Sequence, residues 1–166
     1  QGYIQAMQEL QDQNLQPDWI VLASSSGGTQ AGLVLGAKQT GFPGRILGIS
    51  VDKPADELTQ IIMALANQTA ARLGIDKKIE SEDVLVNDAY CQAGYGILQP
   101  AEVEAIRLFA RTEGILLDPV YTGRAAAGLI DLIRKGFFGR DETVLFWHTG
   151  GIPALFAEPY ASALRG

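Results

Sequence analysis

The chain has 166 residues, of which 47% are hydrophobic and 19% charged, and its net charge is −6 at neutral pH. That balance belongs to a globular domain or part of one and excludes a disordered chain. The acidic surface argues against nucleic acid or an anionic membrane as the main partner, and no apolar run reaches the ~18 residues a membrane span needs. One cysteine, Cys91, leaves no internal disulfide and, with no secretory leader in view, fits a cytoplasmic setting.

Tyr3, Ile4, Met7 and Leu10 recur at helical spacing and predict an amphipathic helix over 1–13. The periodicity starts at once and no initiator Met precedes it, so the chain is expected to be cut from something longer. Trp19 to Ala23 is a short apolar run, read as a buried strand. A Ser/Gly turn follows at 24–28, then a small-residue helix over 29–38. Arg45 to Val51 predicts a second buried strand. A helix over 55–73 has Asp56 and Glu57 in its first turn and Gly74 after its end. Residues 84–86 predict a third strand, 87–100 a loop and 102–113 a helix closed by Gly114. A very short strand is expected at 115–117, a helix over 123–135 and a last buried strand over 143–147. Buried runs alternating with helices imply an α/β fold, a parallel sheet covered on both faces. Ligands of such sheets bind beyond the C-terminal strand ends. The Gly-rich segments 24–29 and 148–151 each follow a strand-like run and should share that edge.

The segment Ser24-Ser25-Ser26-Gly27-Gly28-Thr29 carries the strongest chemical signal. Glycines let an anion approach the backbone, and the following helix start supplies N–H donors. The spacing is not that of a dinucleotide loop, Leu33 stands where a Walker loop needs Lys, and no nucleophile elbow is present. A cradle for a single phosphate remains, beside the plainer reading of a strand–helix turn packed by its glycines. His148 has no arrangement with Ser24–Ser26 and an acid that would make a hydrolase triad. One His and one Cys without ligand spacing give a metal site no support.

ASSSGGTQAGL at 23–33, GYG at 94–96, EGILLDPVYTGRAAAGL at 113–129 and HTGGIPALF at 148–156 occur in that order. The chain resembles the C-terminal half of the D-cysteine desulfhydrase / aminocyclopropane-carboxylate deaminase family over essentially its whole length. The resemblance implies pyridoxal 5′-phosphate as cofactor. It implies a three-layer, parallel-sheet large domain of the tryptophan-synthase-β type, present as a fragment without the N-terminal half and small domain. It also implies a small amino-acid substrate, and homodimers or association with the missing half. Ser25, Ser26, Gly27, Gly28 and Thr29 match the phosphate loop. Tyr95 and Tyr121 match active-site tyrosines, Thr122 the residue beside the pyridine nitrogen, and Thr149 and Gly150 the loop near the cofactor ring. The family's Schiff-base lysine lies in the N-terminal half. Lys38, Lys53, Lys77, Lys78 and Lys135 all read as solvated surface residues. Asp118, before Pro119, reads as a turn former. Thr122 stands where the deaminase pattern has Glu, and Thr149 also fits the desulfhydrase pattern, so the expected activity is α,β-elimination of D-cysteine to pyruvate, ammonia and hydrogen sulfide. The alternatives are aminocyclopropane-carboxylate deamination and, since the lysine is missing, a non-catalytic phosphate-binding fragment.

Overall fold

A computed structural model describes residues 1–165. Four parallel strands form one sheet in the order β3-β2-β1-β4, where β1 is Trp19–Ser24, β2 Arg45–Ser50, β3 Leu85–Asn87 and β4 Val144–Trp147. The register sets Trp19 beside both Arg45 and Val144. Six helices accompany it among the described residues: α1 Gly2–Asp12, α2 Gly28–Thr40, α3 Ala55–Leu73, α4 Pro100–Thr112, α5 Thr122–Arg134 and α6 Tyr160–Leu164.

Alternation along β1 builds the three layers. Ile20 and Leu22 face one core with Leu33, Leu58 and Ile62 from α2 and α3, and α1 packs there through Ile4, Met7 and Leu10. Trp19 and Val21 face the opposite core with Ala125, Leu129 and Leu132 of α5. A third cluster joins α4 to α5 through Ala105, Ile106 and Ala126. Both sheet faces are covered, as the apolar strand runs require. α1 approaches α2 closely because Gly36 offers no side chain: a Cβ there would lie 2.9 Å from Met7 Cγ.

The helix over 55–73 is found with the predicted limits, and Gly74 ends it in the left-handed conformation at φ +66°. The expected strand at 115–117 is not formed. Leu117 is buried, but Ile115 and Leu116 are exposed, and three residues between Gly114 and the Asp118 turn find no neighbouring strand to pair with. The tail beyond 151, which carries no clear period in the sequence, makes a 3₁₀ turn over Ile152–Phe156 and then α6.

Candidate cofactor site

β1 lies between β2 and β4, so the chain leaves β1 toward one side of the sheet and returns at β4 on the other. A crevice opens where the strand order reverses, at the C-terminal strand ends. A cleft of about 290 Å³ lies there, lined by Ser24, Ser25, Ser26, Gly27 and Thr29 after β1, by Thr149, Gly150 and Gly151 after β4, and by Tyr121 at the start of α5.

The loop after β1 turns on Gly27, whose φ of +79° is left-handed and whose missing Cβ would stand 2.9 Å from Ile62 Cγ1. Gly27 caps α2, and its carbonyl accepts the first helical bond from Ala31 N–H at 2.8 Å. The N–H groups of Gly28, Thr29 and Gln30 therefore precede the helical ladder and face the cleft end of α2, where the helix dipole favours an anion. Gly28 leaves that approach open, since the nearest atom to a Cβ placed there is Ser26 Oγ at 4.0 Å.

On the opposite wall Asp118 holds the turn that leads into α5. Its carboxylate accepts the N–H groups of Val120, Tyr121 and Thr122 at 2.7–2.8 Å, which fixes the turn that presents Tyr121. The loop after β4 closes on the same carboxylate: a Cβ on Gly151 would lie 2.7 Å from Asp118 Cγ. Tyr121 and Tyr95 join through their hydroxyls, with ring centroids 5.9 Å apart and an edge-on angle of 71°. The bond to Tyr95, with burial and the charges of Asp118 and Asp52, pushes the Tyr121 phenol up to about 12. Tyr121 thus keeps its proton throughout the neutral range.

The structure brings Ser25, Ser26, Gly27, Thr29, Tyr121, Thr149 and Gly150 around one cleft, with Gly28 opening α2 beside it and Tyr95 reaching it through Tyr121. Thr122 is placed differently. It is 1% exposed, does not line the cleft, and turns its hydroxyl into Asp118. His148 is exposed, with Nε2 3.3 Å from the Leu116 carbonyl, and Cys91 is half-buried against the Lys53 and Asp88 carbonyls. No lysine lines the cleft, and no group of metal-ligating side chains occurs among the described residues. Lys38, Lys53, Lys78 and Lys135 pair with nearby acids.

Two unpartnered polar atoms near the cleft escape a sequence reading. Ser24 Oγ is buried in the cleft wall without a hydrogen-bond partner, and one buried carboxylate oxygen of Asp52 is likewise unpartnered. Ser24 opens the Ser/Gly segment, but nothing in that segment shows its hydroxyl to be orphaned; Asp52 carries no motif and lies just past the end of β2. The orphaned Ser24 hydroxyl, the open approach at Gly28 and the uncrowded Gly150 suit a phosphate ester, so the residues present fit pyridoxal phosphate.

Comparison with known proteins agrees. The family model described as "Pyridoxal-phosphate dependent enzyme" matches residues 1–150. The chain is 39% identical over 140 residues to a 1-aminocyclopropane-1-carboxylate deaminase of Pseudomonas syringae pv. tomato, covering 84% of this chain and 41% of the relative. It is 36% identical to the enzyme of that name from Burkholderia vietnamiensis, covering 99% of this chain and 49% of the relative. The crystal structure of an ACC deaminase homologue superimposes with a TM-score of 0.86 at 38% identity, over 98% of this chain and 48% of that one. A fungal L-serine ammonia-lyase from Rhizomucor miehei shares the fold, with a TM-score of 0.61 at 16% identity. The chain spans less than half the length of these deaminase relatives. With its parallel sheet, its phosphate-suited loop and a family match over nine-tenths of its residues, the chain belongs to the pyridoxal-phosphate dependent enzymes.

Proposed function

We propose that this chain is the phosphate-holding half of a pyridoxal-phosphate-dependent lyase of the aminocyclopropane-carboxylate deaminase type, acting on a small amino acid in the cytoplasm. The observation that carries this reading is the cleft itself: an anion-seeking helix start, an orphaned serine hydroxyl and a protonated tyrosine meet at one strand-order reversal. Pyridoxal phosphate, when bound, supplies the electron sink for the amino acid it carries. The protein's part is to hold and orient. Ser25–Thr29 and the N-terminus of α2 would hold the phosphate, the loop at 149–151 would wall the cofactor, and the Tyr121 hydroxyl would hold a proton over the reacting edge. The lysine and the cover over the substrate would come from the missing half.

The relatives' names support aminocyclopropane carboxylate as substrate, against the D-cysteine preference drawn from the sequence. D-cysteine elimination stands as the second reading because Thr122 and Thr149 depart from the deaminase pattern. Thr122 supports it less than its residue type implies: its hydroxyl proton is committed to Asp118, which leaves it a lone pair and no donor to offer.

Equilibrium dialysis of pyridoxal phosphate and of pyridoxal against this chain tests the first step. Retention of the phosphorylated form alone is expected, and equal binding of both would overturn the reading. The substrate is decided by grafting residues 1–166 in place of the matching half of the Burkholderia vietnamiensis enzyme. Ammonia released from aminocyclopropane carboxylate supports the deaminase reading; sulfide released from D-cysteine, without that activity, supports the second.

A further inference from the structure

Tyr95 sits on a loop with no regular structure, between Gly94 at φ +95° and Gly96 at φ +72°. Its side chain is 55% exposed, so packing does not hold it. Nevertheless its hydroxyl meets that of Tyr121, on a different element. Something must fix the loop against α5.

That something is a buried cation. Arg124, one turn after Tyr121, is 1% exposed, and four contacts use its guanidinium. Nη1 donates to the carbonyl of Val51 at 2.5 Å and to that of Gly94 at 3.0 Å. Nη2 donates to the carbonyl of Ile97 at 2.9 Å. Nε donates to Glu102 Oε1 at 2.8 Å, which neutralises the charge. Glu102 is spoken for at its other oxygen by Gln99 N–H, at the start of α4. The guanidinium therefore grips the Tyr95 loop on both sides of the tyrosine and ties it to the end of β2. From outside, Tyr160 donates its hydroxyl to the Gly96 carbonyl at 2.7 Å.

We propose that Arg124 is a positioning residue for the site: it clasps the backbone at 94 and 97 and so sets the Tyr95 hydroxyl against that of Tyr121. A planar fork with five donors can serve three carbonyls and a carboxylate together, whereas an ammonium at one point cannot. An ion pair retained only for stability would gain as much from any buried partner; this one directs two of its bonds to the backbone carbonyls on either side of Tyr95 and a third to Val51, at the end of β2. The inference extends the proposed roles of the two tyrosines, but its test reads their hydrogen bond and requires no activity.

The experiment follows ionisation of Tyr121 by NMR of protein labelled with ¹³C at tyrosine Cζ. In the parent, the bond to Tyr95 holds Tyr121 up to about 12. Arg124→Lys should let Tyr121 ionise at least tenfold more readily, toward the ordinary value of 10.0. Tyr95→Phe should do the same, and the two changes combined should add nothing to either alone. If Tyr95→Phe shifts the titration and Arg124→Lys leaves it at the parent value, Arg124 does not position the pair. If Tyr95→Phe has no effect, the pair itself is absent and the inference falls with it. Arg124→Met with Glu102→Gln leaves no buried charge unpaired and keeps an acceptor for Gln99 N–H. It gives the same reading should Arg124→Lys not fold.

Discussion

Asp118 and Thr122 hold each other from both ends of the turn that leads into α5. The Thr122 hydroxyl accepts the Asp118 N–H at 2.8 Å and donates to Asp118 Oδ1 at 2.7 Å, and both residues are buried. Thr122→Val keeps the shape and leaves the buried Asp118 N–H unsatisfied. The expected loss is about 1–3 kcal/mol of stability, with Thr122→Ser close to the parent. Urea unfolding checks it, and equal midpoints for parent and Val variant would show that water replaces the hydroxyl at no cost.

Gly27 and Gly28 are adjacent and should fail for different reasons. Gly27→Ala meets Ile62 at 2.9 Å with left-handed φ, so stability should fall by about 1–2 kcal/mol or more. Gly28→Asp has room, so the fold should survive while a negative charge occupies the anion space. Charge-assisted bonds of about 1.5–3 kcal/mol each are at stake, so affinity for pyridoxal phosphate should drop more than tenfold. Unchanged affinity would mean the loop is only a turn.

Gly151→Ala should act on the site through Asp118. At φ +117° any side chain is strained, and the new Cβ would stand 2.7 Å from the Asp118 carboxyl carbon. About 1–3 kcal/mol of stability should be lost, and pyridoxal-phosphate affinity should fall as the 149–151 wall moves outward. Thermal unfolding and dialysis, run side by side, separate the two effects.

Asp131 gives a pH signature. The Lys135 ammonium and then the Tyr90 hydroxyl bond its carboxylate, at 2.6 Å each, and hold it below the usual carboxylate range. Burial, then the Asp131 bond and charge, push the Tyr90 phenol upward. A carboxyl lowered in the folded state contributes stability above its unfolded value and loses it as pH falls through the folded one. The stability difference between parent and Asp131→Asn should therefore be largest near neutrality and shrink as pH falls from about 5 through and below the ordinary carboxylate range. A difference independent of pH over that range would show that the Asp131 charge contributes nothing.

The sheet was legible because its strands are buried on both faces: WIVLA and RILGISV are short apolar runs bounded by turn residues, the pattern of parallel strands between helices, and Gly74 marks the end of α3. The turn from β1 into α2 was legible because glycine and serine cluster where a helix begins. Asp118 was legible as a turn former, since Asp before Pro favours that use. Arg124 was not. Its partners are mainly carbonyls, which every residue possesses, so no pairing pattern along the chain betrays them. The expected strand at 115–117 failed for a similar reason, because a ladder needs a neighbour that three apolar residues cannot announce.

The grip of Arg124 also has a place in time. Its bond to the Val51 carbonyl spans 73 residues, and those to Gly94 and Ile97 span 30 and 27. Each such closure carries an entropic cost before the contact rewards it, so contacts of long sequence separation come late in folding. The helices can form locally and β1 can meet β2 early, but the two tyrosines meet only after the ends of β2, the 94–97 loop and α5 have all arrived. Apposition of Tyr95 and Tyr121 is then a late event, beside the docking of β4 on β1, whose closing bond spans 125 residues; a chain arrested earlier would pair β1 with β2 while still lacking a site.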